Sequence, residues 1–292
     1  MEVKKVKAWA LAARPKTLAA SVSPVLIGCA LAYRNGSFLA IPAVLCLLVA
    51  LLAQIAANLS NDYFDFKKGA DKAGRLGQKR AVASGWIAPR TMLYAALGTL
   101  ALACLCGCGL LFYGGWELIF VGLLIAVCVL AYTAGPYPLA YHGWGDVCVW
   151  LFYGVIPVCF TYYVQAHAFS GTAFLLSSAI GIVSVNILVV NNYRDYEQDK
   201  AAHKRTTVVL FGRSFGRIFY LVNIALSLVM AYPVYWYRSW NTKLLFIFFV
   251  IIQLFTWQDM CRAQGSELNS VLERTARNVF LYALLIASLL LY

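Results

Sequence analysis

Residues 38–65 read FLAIPAVLCLLVALLAQIAANLSNDYFD, a long apolar run that ends in two aspartates. About 20 consecutive apolar residues cross the hydrocarbon core of a bilayer as a helix, so Asp62 and Asp65 are expected where this helix leaves the membrane. A similar pattern, NNYRD, occupies residues 191–195 at the end of another apolar run. Acidic motifs at two membrane edges predict a two-part metal site.

Composition places most of the chain in a membrane. Hydrophobic residues make up 62% of the sequence and charged residues 12%, and residues 91–116 and 118–145 contain no Asp, Glu, Lys or Arg. We therefore predict an all-α polytopic membrane protein with nine transmembrane helices and one membrane domain over residues 1–292. The predicted helices span about 17–33, 38–60, 91–113, 117–135, 146–164, 172–192, 217–237, 243–259 and 276–292.

The basic residues fix an expected orientation. The amino terminus carries 5 Lys and Arg, residues 61–90 carry 7, residues 193–217 carry 6 and residues 260–277 carry 3. The opposite side holds only the three cations Arg34, Arg238 and Lys243. Because Lys and Arg concentrate in cytoplasmic loops, the amino terminus and the loops at 61–90 and 193–217 are predicted to be cytoplasmic. Topology also explains the net charge of +12 without nucleic acid as a partner.

Helix parity and spacing indicate that the two motifs meet. The second and sixth predicted helices both run inward and end on the cytoplasmic side. Gln54, Asn58, Asp62 and Asp65 follow steps of four, four and three, and the second motif continues in steps of four to Asp199, so each set forms one polar stripe. Such a stripe must face protein or water, because lipid leaves polar groups unpaired.

Several carboxylates that converge from two helices repel one another unless cations lie between them. Carboxylate and amide oxygens are hard ligands that suit Mg²⁺, which usually keeps part of its coordination shell for water and substrate phosphate. Lys and Arg residues flank both motifs. The combination predicts a receptor for a diphosphate. The simpler interpretations are helix capping for the acidic motifs and membrane topology for most of the basic residues.

These residues resemble the UbiA-type membrane prenyltransferases over nearly the whole chain, and most closely the branch that acts on 1,4-dihydroxy-2-naphthoate. The resemblance rests on ARPKTL at 13–18, NDYFDFKKGAD at 61–71, KRAVASG at 79–85, YT at 132–133, GPYPLAY at 135–141, GWGD at 143–146 and NNYRDYEQDKAAHKRTT at 191–207. It implies helices around a central cavity, capped by the loops at 61–90 and 193–217. It also implies Mg²⁺-dependent transfer of a polyprenyl group from a polyprenyl diphosphate to the naphthoate with loss of CO₂, giving demethylmenaquinone, at the cytoplasmic face of a bacterial inner membrane.

The resemblance also assigns candidate roles. The implied metal ligands are Asn61, Asp62, Asp65, Asp71, Asn192, Asp195 and Asp199. The candidates to bind the diphosphate are Lys67, Lys72, Arg75, Lys79, Arg80, Arg194, Lys204 and Arg205. The candidate catalytic residues are Asp65, Asp195, Lys68, Tyr137, Tyr141 and Asp146, of which Tyr137, Tyr141 and Asp146 would orient the acceptor.

The chain departs from the expected family pattern at two positions, and two other functions remain as alternatives. Gly69 stands where many relatives have the last Asp of NDxxDxxxD, and Asp146 stands where this branch is expected to carry Glu. Another acceptor, such as 4-hydroxybenzoate or a glycerol-phosphate lipid, is the nearer alternative function. A secondary transporter is the remoter one, because transporters place ionisable groups near the bilayer midplane, where the predicted spans have none.

Overall fold

The structure is a computed structural model that describes residues 5–69 and 76–292, without the side chain of Lys16. Every regular element in these ranges is helical, which confirms the all-α prediction. The α-helices are α1 Lys5–Ala13, α2 Pro15–Arg34, α3 Ala40–Lys67, α4 Pro89–Gly114, α5 Leu118–Ala131, α6 Gly145–Trp150, α7 Ile156–Ala166, α8 Gly171–Arg194, α9 Tyr196–Ala201, α10 Thr207–Met230, α11 Tyr232–Tyr235, α12 Trp240–Arg262 and α13 Leu268–Leu291. A π-helical segment, Leu151–Val155, joins α6 to α7.

Within the described residues, eight helical segments are long and apolar enough to cross a bilayer. α5 is apolar but has only 14 residues, so the ninth span stays a prediction. Large apolar side chains such as Phe112, Phe120 and Phe255 are exposed on the outside of the bundle. Since no water-soluble protein presents so much apolar surface, the chain is an integral membrane protein.

Two predicted helix starts are wrong. α10 begins at Thr207 and not at residue 217, and it is kinked at Gly212, whose φ of 87° and ψ of 165° are not helical. Arg213 and Arg217 therefore lie on the helix after the kink rather than in a loop. α13 begins at Leu268 and not at residue 276. Long basic side chains can remain on a membrane helix because their charged ends reach past the apolar boundary, and the sequence prediction wrongly ended helices at the first charge.

The first acidic motif is part of α3, which continues without a break to Lys67. Gly69 then ends the helix with φ +67°, in the left-handed region where glycine carries no steric cost. This conformation gives a physical reason for glycine at position 69. The polar stripe faces protein as predicted, since Gln54 donates to Asn58, which in turn donates to the carbonyl of Ala13.

The segment that carries Asp146 packs very closely on α8. A Cβ added to Gly154 would lie 2.4 Å from the carbonyl oxygen of Ser177, and one added to Gly181 would lie 2.6 Å from that of Trp150. Only glycine permits this approach of two helix backbones. The contact fixes the position of Asp146, at the first turn of α6, along the axis of the bundle relative to the second acidic motif at the end of α8.

The helices surround one large cavity of about 690 Å³. One end of the cavity is polar and contains Asp65 and Asp195, and its walls are apolar over most of their length. At the opposite end the wall is a buried apolar cluster of four residues, which we call the floor: Val25, Cys46, Leu118 and Val164. Asp65 and Cys46 both lie on α3, about 28 Å apart at the usual rise of 1.5 Å per residue.

Candidate active site

Asp65 is the centre of the polar end of the cavity. Its carboxylate is buried and accepts a hydrogen bond from Nη2 of Arg80 at 2.9 Å and one from the hydroxyl of Tyr141 at 3.0 Å. The first partner comes from the loop after α3 and the second from the loop after α5. Three separate segments therefore hold this carboxylate on the cavity wall.

A lysine connects the two acidic motifs. Nζ of Lys204 lies 3.9 Å from Oδ1 of Asp65 and 3.8 Å from Oδ1 of Asp199. Asp65 ends the stripe of the first motif and Asp199 ends that of the second, so the motifs meet at one end of the bundle as the sequence predicts. One ammonium group between two carboxylates marks a position where a cation is favoured.

The ring of Tyr141 lies between two lysines. Nζ of Lys68 and Nζ of Lys204 are each 4.7 Å from the ring centroid, and Nζ of Lys68 also donates to the carbonyl of Thr133 at 2.7 Å. Burial lowers the pKa of Lys68, with Asp65 opposing the shift and Lys204 adding to it. The Thr133 hydroxyl in turn donates to Oδ1 of Asn61, which orients that amide on the cavity wall.

The second motif is held by Arg194. Its guanidinium donates to both carboxylate oxygens of Asp195, at 2.8 and 2.7 Å, and to Oδ1 of Asn191 at 2.8 Å. It also donates to Oδ1 of Asn269 on α13, whose amide donates to the carbonyl of Leu76. With four N–H contacts to protein acceptors, Arg194 orients Asp195 and connects it to the loop of the first motif, beyond the diphosphate role expected from the sequence.

Asp62 has a different environment from Asp65. Its two carboxylate oxygens accept the backbone N–H groups of Ala81 and Val82 at 2.9 and 3.2 Å, and its side chain does not line the cavity. This arrangement fixes the loop that carries Arg80. Asp62 therefore positions a partner of Asp65, whereas the sequence suggested a direct metal ligand.

The remaining candidates from the sequence fall into three groups: on the cavity wall, off the wall, and outside the described residues. Asn192, Asp195 and Asp199 line the cavity, and Arg80 and Lys204 join them there. Lys67, Lys79 and Arg205 are exposed and lie off the cavity wall. Asp71, Lys72 and Arg75 lie outside the described residues.

Tyr137 and Tyr141 behave differently although both follow α5. Tyr137 is 55% exposed, stacks on the ring of His142 with centroids 3.7 Å apart, and is not part of the cavity wall. Tyr141 instead contacts Asp65, and its carbonyl accepts the N–H of Arg205 at 2.9 Å. The structure thus brings one of the two candidate tyrosines to the acidic motifs.

Asp146 lies on the cavity wall near the polar end, at the start of α6. Its Oδ1 and the hydroxyl of Thr207, the first residue of α10, are both buried and have no hydrogen-bond partner among the described residues. Among the polar residues on the cavity wall that the sequence candidates omitted are Arg14, Gln78 and Gln198. Arg14 belongs to the ARPKTL motif and has a left-handed φ of 54°, an unusual conformation that often occurs at functional sites.

The donor set at the polar end fits Mg²⁺. Asp65, Asp195 and Asp199 supply carboxylate oxygens, and Asn61 and Asn192 supply amide oxygens. Among residues 5–69 and 76–292, no three His, Cys, Asp or Glu side chains cluster closely enough to hold an ion by themselves. This agrees with the usual coordination of Mg²⁺ by one or two carboxylates together with water and substrate phosphate.

The whole cavity thus suits an amphiphile with an anionic head. Oxygen ligands and the cations Arg80 and Lys204 surround its polar end, and an apolar compartment extends from there to the floor. Such a ligand would keep its charge at the polar end and its hydrocarbon chain within the bundle. Within the apolar compartment little water could compete for a reactive intermediate.

Comparison with known proteins agrees with this architecture. The model of the UbiA prenyltransferase family matches residues 21–291. The 1,4-dihydroxy-2-naphthoate octaprenyltransferase of Haemophilus influenzae is 32% identical over 92% of this chain and 90% of its own. The enzyme of the same name from Escherichia coli is 36% identical over 78% of this chain and 76% of its own.

A solved structure shares the fold at low sequence identity. The UbiA homologue from Archaeoglobus fulgidus, bound to DMAPP and Mg²⁺, superposes with a TM-score of 0.66 at 16% identity, over 96% of this chain and 99% of that one. The family match at residues 21–291 includes both acidic motifs of the cavity. This chain belongs to the UbiA prenyltransferase family.

Proposed function

We propose that this protein transfers a polyprenyl group from a polyprenyl diphosphate to 1,4-dihydroxy-2-naphthoate. The observation that carries the proposal is the cavity itself, with two acidic motifs joined through Lys204 at one end and an apolar compartment behind them. The names of the H. influenzae and E. coli relatives favour the naphthoate over other acceptors.

The polar end would hold the diphosphate together with Mg²⁺. Asp65, Asp195 and Asp199, with the amides of Asn61 and Asn192, are the proposed ligands. When bound, Mg²⁺ would neutralise the diphosphate and lower the barrier to its departure. Arg80 and Lys204 lie beside the carboxylates and would bind phosphate oxygens from the same side. The basic residues of both cap loops would attract the anionic substrate from the cytoplasm.

The reaction begins with cleavage of the bond between the first prenyl carbon and the bridging oxygen. Both electrons stay on the oxygen, so the leaving diphosphate gains charge that Arg80 and Lys204 are positioned to stabilise. The allylic cation that remains faces a cavity whose apolar walls keep water away. A ring such as Phe152, on the cavity wall near Asp146, presents a negative face to that cation.

The electron-rich naphthoate then attacks the cation through a ring carbon. A new carbon–carbon bond forms, the carboxylate leaves as CO₂, and the electrons of the broken bond restore the aromatic ring. The product is demethylmenaquinone in its reduced, quinol form, together with diphosphate and CO₂. Asp146 and Thr207 are the proposed pair that would hold a hydroxyl of the acceptor, because both line the cavity near its polar end.

The proposed location is a bacterial inner membrane with the active site toward the cytoplasm. Support comes from the basic residues, 21 of which fall on the motif side and three on the other. A charged, water-soluble naphthoate and the head of the prenyl diphosphate would both reach the cavity from that side.

The proposal is tested with the purified protein in lipid nanodiscs, given a polyprenyl diphosphate and one acceptor at a time. Mass spectrometry should detect a prenylated naphthoquinol and one CO₂ per product, and EDTA should remove the activity. Asp65→Asn serves as the inactive control. A product formed only from 4-hydroxybenzoate or from a glycerol phosphate would reassign the acceptor, and no product from any pair would refute prenyl transfer.

A further inference from the structure

The deep end of the cavity is unusually rich in glycine. Gly107 of α4 and Gly122 of α5 both line the cavity, and a Cβ added to either residue would meet no other atom within 4 Å. A side chain at these positions would therefore project into the cavity and leave helix packing undisturbed. A Cβ added to Gly154 or Gly181 would instead meet the backbone of a neighbouring helix.

Both glycines lie next to the floor. Gly122 is one turn of helix from the floor residue Leu118. Gly107 lies two residues before Gly109 on α4. A Cβ added to Gly109 would lie 3.1 Å from the side chain of Leu45, and Leu45 directly precedes the floor residue Cys46. The open space beside Gly107 and Gly122 thus belongs to the floor end of the compartment, away from Asp65 and from the proposed diphosphate site.

We propose that Gly107 and Gly122 determine how long a prenyl chain the enzyme accepts. An extended chain whose head is held beside Asp65 would run along α3 toward Cys46, and its distal units would occupy the space that the two glycines leave open. Larger side chains there would shorten the compartment from its deep end. This inference rests on the proposed function, because it assumes a prenyl diphosphate as the ligand.

The chain also offers a matched control. Gly98 lies on α4 as Gly107 does, and a Cβ added to it would likewise meet nothing within 4 Å. Gly98 is exposed and is not part of the cavity wall. Replacement of glycine by leucine raises helix propensity at all three sites, so the variants should fold comparably.

The experiment is an internal competition. The wild type and the variants Gly107→Leu, Gly122→Leu and Gly98→Leu receive an equimolar mixture of geranyl, farnesyl, geranylgeranyl and octaprenyl diphosphates with the naphthoate. The ratios of the products, read by mass spectrometry, equal the ratios of kcat/KM. A pocket that loses space for even one methylene discriminates by about tenfold or more.

We expect Gly107→Leu and Gly122→Leu to reduce the longest products about tenfold or more relative to the geranyl product, and Gly98→Leu to match the wild type. Gly107→Ala and Gly122→Ala should give smaller shifts in the same direction, which keeps the test open if a leucine variant folds poorly. Unchanged ratios in active variants would overturn the inference, as would an equal shift in Gly98→Leu. A wild type that makes no product from any diphosphate would instead refute the proposed function.

Discussion

The ammonium group of Lys204, in the loop after α9, lies 3.9 Å from a carboxylate oxygen of Asp65 at the end of α3. The same group is 3.8 Å from Asp199, so one cation joins two motifs that are far apart in sequence. Both carboxylates are largely buried, and an unscreened repulsion between them would open the site. Lys204 thus holds the two halves together and lies where a diphosphate would bind.

Replacement of Lys204 by Gln should weaken substrate binding. The variant removes a charge beside the proposed diphosphate site, and a hydrogen bond to a charged group is worth about 1.5–3 kcal/mol. We expect KM for the prenyl diphosphate to rise about tenfold or more in steady-state assays. Lys200→Gln removes an exposed lysine from the same segment and should leave KM near the wild-type value. Equal effects of the two changes would mean that only the overall charge of the loop matters.

Tyr141→Phe separates the two tyrosines that follow α5. The change removes the hydroxyl that donates to Asp65 and keeps the ring between Lys68 and Lys204. Loss of one such bond should lower kcat/KM by roughly three- to tenfold. Tyr137→Phe, at an exposed ring stacked on His142, should have little effect. A larger defect in Tyr137→Phe would show that the exposed tyrosine contributes to the reaction.

Lys68 should give the enzyme a characteristic alkaline limit. Its pKa lies below the 10.5 of an ordinary lysine because burial disfavours the ammonium form. As pH rises through that lowered pKa, Lys68 loses its charge and kcat/KM for the diphosphate should fall. Lys68→Arg keeps the charge, so the fall should move to higher pH. An unchanged pH profile in Lys68→Arg would assign the alkaline limit to another group.

The lowered pKa of Lys68 also affects how the stability of the fold depends on pH. The folded protein binds the Lys68 proton less tightly than the unfolded chain does, so protonation of Lys68 costs the fold some stability at neutral pH. This cost is relieved as pH rises from the folded pKa to the unfolded one. The Tm of the wild type relative to Lys68→Met should therefore rise over that alkaline range, as measured by thermal unfolding in detergent, and a constant difference would contradict this.

Gly181→Val should destabilise the bundle. A Cβ at this position would lie 2.6 Å from the carbonyl of Trp150 and 3.1 Å from Cα of Gly154, and backbone atoms cannot move aside as a flexible side chain can. Overpacking of this kind typically costs about 1–3 kcal/mol, which should appear as a lower Tm in detergent. Gly98→Val, with open space around its added Cβ, is the matched control. Equal Tm values would mean that α6 and α8 are less closely packed than described.

The sequence was sufficient to predict the helical fold and the meeting of the two motifs. Hydrophobic run length indicates membrane helices, and the parity of the helices that end at Asp65 and Asp195 brings both motifs to one side. The predicted helix starts at 217 and 276 failed because charge was taken as the end of a span. Arg213 and Arg217 show that a membrane helix can carry such residues near its end.

Contacts between distant segments could not be predicted. Asn269 on α13 bonds both Arg194 and the carbonyl of Leu76, and no local pattern around Asn269 indicates this. Likewise, Asp62 and Asp65 share a motif, but only the structure shows that Asp62 binds the backbone of the Arg80 loop while Asp65 faces the cavity. The direction of a side chain in a crowded loop depends on tertiary packing, which motif spacing does not encode.

We propose that the two acidic motifs together form one Mg²⁺-dependent diphosphate site. The most direct test of this proposal is calorimetric binding of an unreactive prenyl thiodiphosphate to the wild type, Asp65→Asn and Asp195→Asn, each with Mg²⁺ and with EDTA. We expect tight binding only for the wild type with Mg²⁺. Either variant should bind about 100-fold or more weakly than the wild type. Wild-type affinity in Asp195→Asn, or binding that EDTA does not weaken, would contradict the proposal.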